Sequence, residues 1–365
     1  MKENKKKKKL SFIISLLVSV FVGALAGFLG INLIADTQGV KGAIIFLVSL
    51  FVSIYLHLII HEGGHLLAGL ISGYKFVSFR VGSIIWIKKD GRFLRKSFSI
   101  PGTAGQCLLK APGIFGEDYP SIFYNLGGGL ANIITACIAG VFCLLFDDIL
   151  LRLALVPFIL SGVYLAASNL IPLKVGGIAN DGMNVKMLKS DVEARKGFWC
   201  QLEINMLQTE GERLKDIPEE YFHLGNEDDL ANPLITAVVL MRGQRCMDQR
   251  NFDEGRELLE QLCFTNKPVM DLYRWEAGSD ILFLELIGER RKEVIDRIAT
   301  PELLKYLKQN KESPAKLRTL FAYHKLYTLD EKQARKAKTL FDKAIKRYPM
   351  AGEIEGEIEL MEGIQ

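Results

Sequence analysis

No CxxC pair and no regular spacing occur among the six cysteines, Cys107, Cys137, Cys143, Cys200, Cys246 and Cys263. Neither a disulfide framework nor a cysteine-based zinc site follows from them. A strong excess of charge of either sign is also missing. The net charge of +4 over 365 residues gives no ground for a nucleic-acid partner. Charged residues make up 24% of the chain, yet long stretches of its first half contain none. Residues 10–173 hold almost all the long apolar runs, whereas residues 186–365 have the composition of an ordinary charged, soluble, helical segment. The break near 175–190 divides the chain into two expected domains, 1–185 and 186–365.

Four segments reach the roughly 20 apolar residues that a bilayer-crossing helix needs. They are residues 10–35, 42–72, 121–146 and 153–173. The first and third carry no charge. In the second, only His57, His61, Glu62 and His65 can be charged near neutral pH. A Lys-rich start followed by an apolar run also describes a signal peptide. The run here exceeds the usual core of about 7–15 residues, and no small-x-small site follows, so an uncleaved anchor is expected. Orientation follows from Lys and Arg bias. Lys2 and Lys5 through Lys9 place the amino terminus in the cytoplasm. Loop 73–120, with eight Lys or Arg against three acids, is expected inside. Asp147 and Asp148 mark an outer turn. The result is an integral, multi-pass protein of the cell membrane with both termini cytoplasmic and the lipid bilayer as its surroundings.

Within the second span, His61-Glu62-Gly63-Gly64-His65 forms an HExxH pattern. On a helix, residues four apart share a face, so both imidazoles can reach one Zn²⁺ while Glu62 lies close to the attacking water. Zinc lowers the pKa of a coordinated water to about 7, and Glu62 is the candidate general base. A charged group at the centre of an apolar helix costs about 2.5 kcal/mol or more, and intramembrane ionisable clusters are functional by default. The alternative is that these residues pack or hydrogen-bond between helices. His57 lies about 12 Å along the axis from His65 at 1.5 Å per residue, too far to share the metal. It is expected to support or pack, not to ligate. A catalytic zinc takes three protein ligands, so a third must come from elsewhere. Asp147 and Asp148 are on the wrong side, and His223 and His324 lie in the soluble half. Asp181 follows the fourth span after Pro172, Gly176 and Gly177, which are expected to unwind the chain and let the aspartate fold back. An ordinary Asn-Asp-Gly turn is the alternative for Asp181.

Taken together, these elements resemble the site-2 protease family of intramembrane zinc metalloproteases. His61 to His65 fits that family's HExGH-like motif. Gly128-Gly129-Leu130-Ala131-Asn132 looks like its Gly-x-x-x-Asn element. Asn169-x-x-Pro172 followed by Asp181-Gly182 looks like its Asn-x-x-Pro…Asp-Gly motif. The likeness covers roughly residues 42–185, with the elements in the family's order. One departure is the step from Pro172 to Asp181, nine residues where the family commonly has five. The resemblance implies a Zn²⁺ site of His61, His65 and Asp181, with Glu62 catalytic. It also implies substrate positioning or oxyanion support by Asn132 and Asn169. The implied substrate is a membrane-spanning protein or hydrophobic precursor peptide, cut near the cytoplasmic face. A non-catalytic, membrane-anchored adaptor is the competing reading.

In loop 73–120, residues 76–80 and 83–88 have strand composition, Lys89-Asp90-Gly91-Arg92 reads as a turn, and residues 93–100 alternate. A cytoplasmic β-hairpin is expected. It either offers an edge for an extended substrate or lies as a plain amphipathic hairpin on the membrane. Gly102, Gly105 and Pro112 suggest a re-entrant or gate-like loop entering the third span. In residues 186–365, Ala337, Phe341, Ala344 and Pro349 match the second helix of a tetratricopeptide repeat (TPR), with a weaker echo around Gly243 and residues 252–262. An all-α, TPR-like domain is expected there. It either binds a cytoplasmic protein partner or caps the membrane part.

Overall fold

Long aliphatic runs without a helix-breaking Pro-Gly cluster fold as helices, and in the computed structural model two of them open the chain. The structure describes residues 2–37, 39–115, 118–175 and 178–364, and the side chains of all of these except 2–12 and 175. Helices α1 (Lys2–Ala35) and α2 (Val40–Ile71) are followed by strands β1 (Lys75–Val81), β2 (Ile84–Lys89), β3 (Arg92–Ser97) and β4 (Gly105–Lys110). Helices α3 (Ser121–Leu145) and α4 (Ile149–Leu170) come next. The short strands β5 (Lys174–Val175) and β6 (Ile178–Ala179) then lead into α5 (Asp181–Ser190). Helices α1 to α4 are each long and apolar enough to cross a membrane. Large apolar side chains such as Phe21, Phe28, Phe51, Ile71 and Leu144 face outward on them. Small and polar residues face inward, the distribution expected where lipid replaces water.

The fourth span, expected at 153–173, begins earlier and ends sooner. Asp148 Oδ1 accepts from the Leu151 backbone N–H at 2.8 Å and caps α4. At the other end Ile171 is extended (φ −69°, ψ 124°) because it precedes Pro172. Loop 73–120 holds more than a hairpin. Its four strands form a sheet in the order β3-β2-β1-β4. Strands β2 and β3 pair antiparallel up to Lys89↔Arg92, across Asp90 (φ 49°) and Gly91 (φ 75°), the two left-handed positions of a type I′ turn. Gly105 opens β4. The Gly105–Lys110 stretch escapes a sequence reading because it lacks apolar–polar alternation.

Two compact units result. One comprises Met1–Lys75, Gly105–Cys107 and Tyr119–Ser190. The other comprises Phe76–Ala104, Leu108–Asp118 and Asp191–Gln365. Most of loop 73–120 thus groups with the carboxyl-terminal helices and not with the apolar helices. Direct contacts explain this. Lys110 Nζ pairs with Glu203 at 2.9 Å, Lys96 Nζ donates to the Tyr348 carbonyl at 2.9 Å, and Phe98 meets Tyr348 edge to face. The helices of this unit are α6 (Val192–Glu210), α7 (Pro233–Asp248), α8 (Phe252–Cys263), α9 (Asp271–Ile287), α10 (Lys292–Ile298), α11 (Pro301–Gln309), α12 (Pro314–Ala322), α13 (Glu331–Ala344) and α14 (Ala351–Glu362). Helix α7 packs on α6 and α8, α9 on α8 and α10, and α12 on α11 and α13, while α14 packs on α6 and α12, around a core that includes Val239, Leu259, Ile281, Phe283, Leu317 and Phe341.

Candidate metal centre

On α2, Ser53, His57, His61, Gly64, His65 and Ala68 are buried. Their spacing of three and four places them on one helix face. On α3 the matching face carries Ser121, Asn125, Gly128, Asn132 and Ala136. The two faces touch backbone to backbone at Gly64 and Gly127, where a Cβ on either would collide with the other's carbonyl oxygen. That close approach brings Gly128 over the imidazoles. A methyl there would stand 2.5 Å from His65 Nε2 and 2.7 Å from His61 Nε2.

His61 Nε2 and His65 Nε2 lie 3.2 Å apart. Asp181 Oδ2 lies 3.2 Å from the first and 3.4 Å from the second. Among the described residues this is the one group of three His, Cys, Asp or Glu side chains arranged to hold a metal ion. His65 Nδ1 stands 2.8 Å from the Tyr124 carbonyl, which can only accept, so Nδ1 carries the hydrogen and Nε2 presents a lone pair. Asp181 Oδ2 is buried, and the polar atoms beside it are the two imidazole Nε2 atoms. A buried carboxylate oxygen so placed is costly in the absence of a cation. The donors therefore suit a metal.

The connection between α4 and α5 delivers Asp181. Strands β5 and β6 pair as a small excursion, with Lys174 opposite Ala179. Asn180 closes its base. Its N–H donates to the Leu173 carbonyl at 3.1 Å, and its Oδ1 accepts from the Leu173 and Met183 N–H groups, both at 3.0 Å. Its Nδ2 donates to the Ser168 and Ile171 carbonyls at 2.7 and 2.6 Å. The bond to Met183 caps α5 and the others tie it to the end of α4, so Asp181 starts a helix held at a fixed place. The long step from Pro172 to Asp181 is absorbed in the excursion. Gly176 and Gly177, expected to unwind the chain, lie outside the described residues.

Glu62 is half-buried, and Gly105 at the start of β4 packs directly on it. Tyr124 holds that strand in place, its hydroxyl donating to the Cys107 carbonyl at 2.6 Å and its ring stacking on Tyr74. The amide of Asn132 bridges His57 Nδ1 and His61 Nδ1, each at 3.3 Å. Asn169 turns its amide back along α4 and donates to the Leu165 carbonyl at 2.9 Å. The structure therefore gathers His61, His65 and Asp181, with Glu62 one residue along α2 and Asn132 behind His61. Tyr124 and Asn180 escaped the sequence reading. Nothing local marks a tyrosine whose backbone carbonyl is the functional atom, although an Asn before Asp-Gly is a cap signal. No family model, curated protein or solved structure matches this chain.

Proposed function

We propose that the chain is a membrane-embedded zinc endopeptidase of the site-2 protease type, cutting a peptide bond of a membrane-spanning protein or hydrophobic precursor peptide near the cytoplasmic face. One observation carries this reading: the triangle of ligand atoms, with edges of 3.2, 3.2 and 3.4 Å. Zinc bonds of about 2.0–2.2 Å in a tetrahedron put ligand atoms about 3.3–3.6 Å apart, so His61, His65 and Asp181 would hold a zinc with little rearrangement. When bound, zinc supplies Lewis acidity toward a water and a peptide carbonyl. Glu62 takes the proton of the attacking water and returns it to the leaving amine. His65, anchored on the Tyr124 carbonyl, keeps a fixed ring orientation throughout. A helical substrate hides its amides and must unwind before attack. Strand β4, last in the sheet order and lying on Glu62 at Gly105, is suited to hold an unwound segment as an added strand. The helices from α6 onward are read as a cytoplasmic, TPR-like helical domain that docks a protein partner.

The test is metal analysis of the purified chain and of Glu62→Gln. About one zinc per chain is expected in both, with cleavage of a single-span substrate lowered about 10²–10⁴-fold in the variant. Full turnover by Glu62→Gln rejects the mechanism. A zinc content near zero favours the non-catalytic adaptor instead.

A further inference from the structure

Carbonyl oxygens accept hydrogen bonds and never donate them. Two carbonyls stand at the ends of the imidazole array. At one end the Tyr124 carbonyl takes the Nδ1–H of His65 directly. At the other, the Phe158 carbonyl of α4 lies 2.9 Å from His57 Nε2, so that nitrogen carries a hydrogen. The ring reaches this carbonyl because α4 has Gly162 beside it, where a Cβ would stand 2.5 Å from His57 Cε1. A neutral His57 with hydrogen on Nε2 has a bare Nδ1, which must accept.

The group facing that Nδ1 is the amide of Asn132, whose other half faces His61 Nδ1. The structure carries the amide oxygen on the His57 side and the nitrogen on the His61 side. That arrangement needs hydrogens on both nitrogens of His57, a cation at a site with no solvent exposure. It also puts the single hydrogen of His61 on Nε2 and removes the lone pair from the metal centre. Oxygen and nitrogen of an amide are assigned by the network around them. Turned by 180°, the Asn132 amide satisfies every group. His57 Nε2–H donates to Phe158, Asn132 Nδ2–H donates to His57 Nδ1, and His61 Nδ1–H donates to Asn132 Oδ1. His61 Nε2 is then bare and faces Asp181.

We infer that His57 is a positioning residue that acts through Asn132 to hold His61 in the Nδ1–H tautomer, whose Nε2 lone pair takes the metal. The ultimate anchor is the Phe158 backbone carbonyl on a third helix. The inference rests on the reading of His61, His65 and Asp181 as metal ligands, and both imidazoles then have their free hydrogen tied to an acceptor, one directly and one by relay.

Titration of the purified full-length chain with Zn²⁺, and with Co²⁺ followed by its visible ligand-field bands, tests this. Asn132→Leu and His57→Phe are each expected to weaken metal binding about 10–100-fold. Asn132→Asp keeps an acceptor for His61 Nδ1–H, so its affinity and Co²⁺ bands are expected to stay near those of the parent chain, which also shows that the bundle tolerates change at 132. Because His57 acts through Asn132, the double variant His57→Phe with Asn132→Leu is expected to bind no more weakly than Asn132→Leu alone. Additive losses overturn the relay, as do single variants with unchanged affinity or an Asn132→Asp as defective as Asn132→Leu. A parent chain that binds neither metal overturns the metal reading itself and the relay with it.

Discussion

Gly128 shows how much one absent side chain contributes. A methyl at this position would press on both Nε2 atoms of the centre, while alanine favours the helix itself. Gly128→Ala is therefore expected to lose metal affinity about tenfold or more with no fall in helix content, read by metal titration beside circular dichroism. In the carboxyl-terminal helices, Glu285 is fully buried. It accepts from Arg291 Nη2 and N at 2.8 Å each, from Arg291 Nε at 3.1 Å and from Arg256 Nη1 at 2.8 Å. These donors, Arg291 first, pull its pKa from 4.5 to about 2 against the opposing effect of burial. A folded pKa below the unfolded one means that the stabilisation is fully present above about pH 5 and fades as pH falls toward 2. Glu285→Gln is expected to lower stability by about 3 kcal/mol at pH 7. That deficit shrinks as pH falls from 4.5 toward 2, measured by denaturant unfolding at several pH values.

Among the elements, the α4–α5 connection decides whether a third ligand arrives. Four hydrogen bonds from the Asn180 side chain hold the base of the β5–β6 excursion and the start of α5. Loss of a helix cap alone costs about 0.5–2 kcal/mol. Asn180→Ala is expected to fray the first turn of α5 and weaken metal binding at least as much as Gly128→Ala, with His61 and His65 untouched. Normal metal affinity in that variant would show that α5 is placed by packing on α3 and α4 alone. The sheet is a second lesson at this scale. Its β2–β3 turn is written in the residues, since Asp-Gly accepts left-handed backbone. Strand β4 reads as nothing in particular until β1 lies beside it.

For the molecule as a whole, the basic residues set the expected sidedness. Lys and Arg flank the start of α1 and fill loop 73–120, while Asp147 and Asp148 lie between α3 and α4. In a chain freed of native cysteines, Asp147→Cys is expected to react with a membrane-impermeant maleimide on intact cells. Gly225→Cys should react only after permeabilisation. The opposite pattern would invert the orientation, and with it the placing of cleavage at the cytoplasmic face. The discontinuous second unit belongs to this scale too. Residues 76–104 and 108–118 group with a domain that starts more than seventy residues later, at Asp191. Contacts of such long range are invisible to local pattern.

The residues by themselves determined the four long apolar helices, because a run of twenty aliphatic side chains has one physical solution in lipid. They also determined that His61 and His65 share a face, because helix periodicity admits no other answer. Asp181 was reachable only as a candidate, since nothing in its neighbourhood states how far residues 174–179 carry the chain. Tertiary structure decided that the excursion closes on itself at Leu173 and Asn180 and returns the carboxylate to the imidazoles. It also decided what Asn132 touches. From the sequence it is a polar residue in an apolar helix. Packed between His57 and His61 it becomes an amide with both ends engaged, because hydrogen bonds between helices depend on which faces meet.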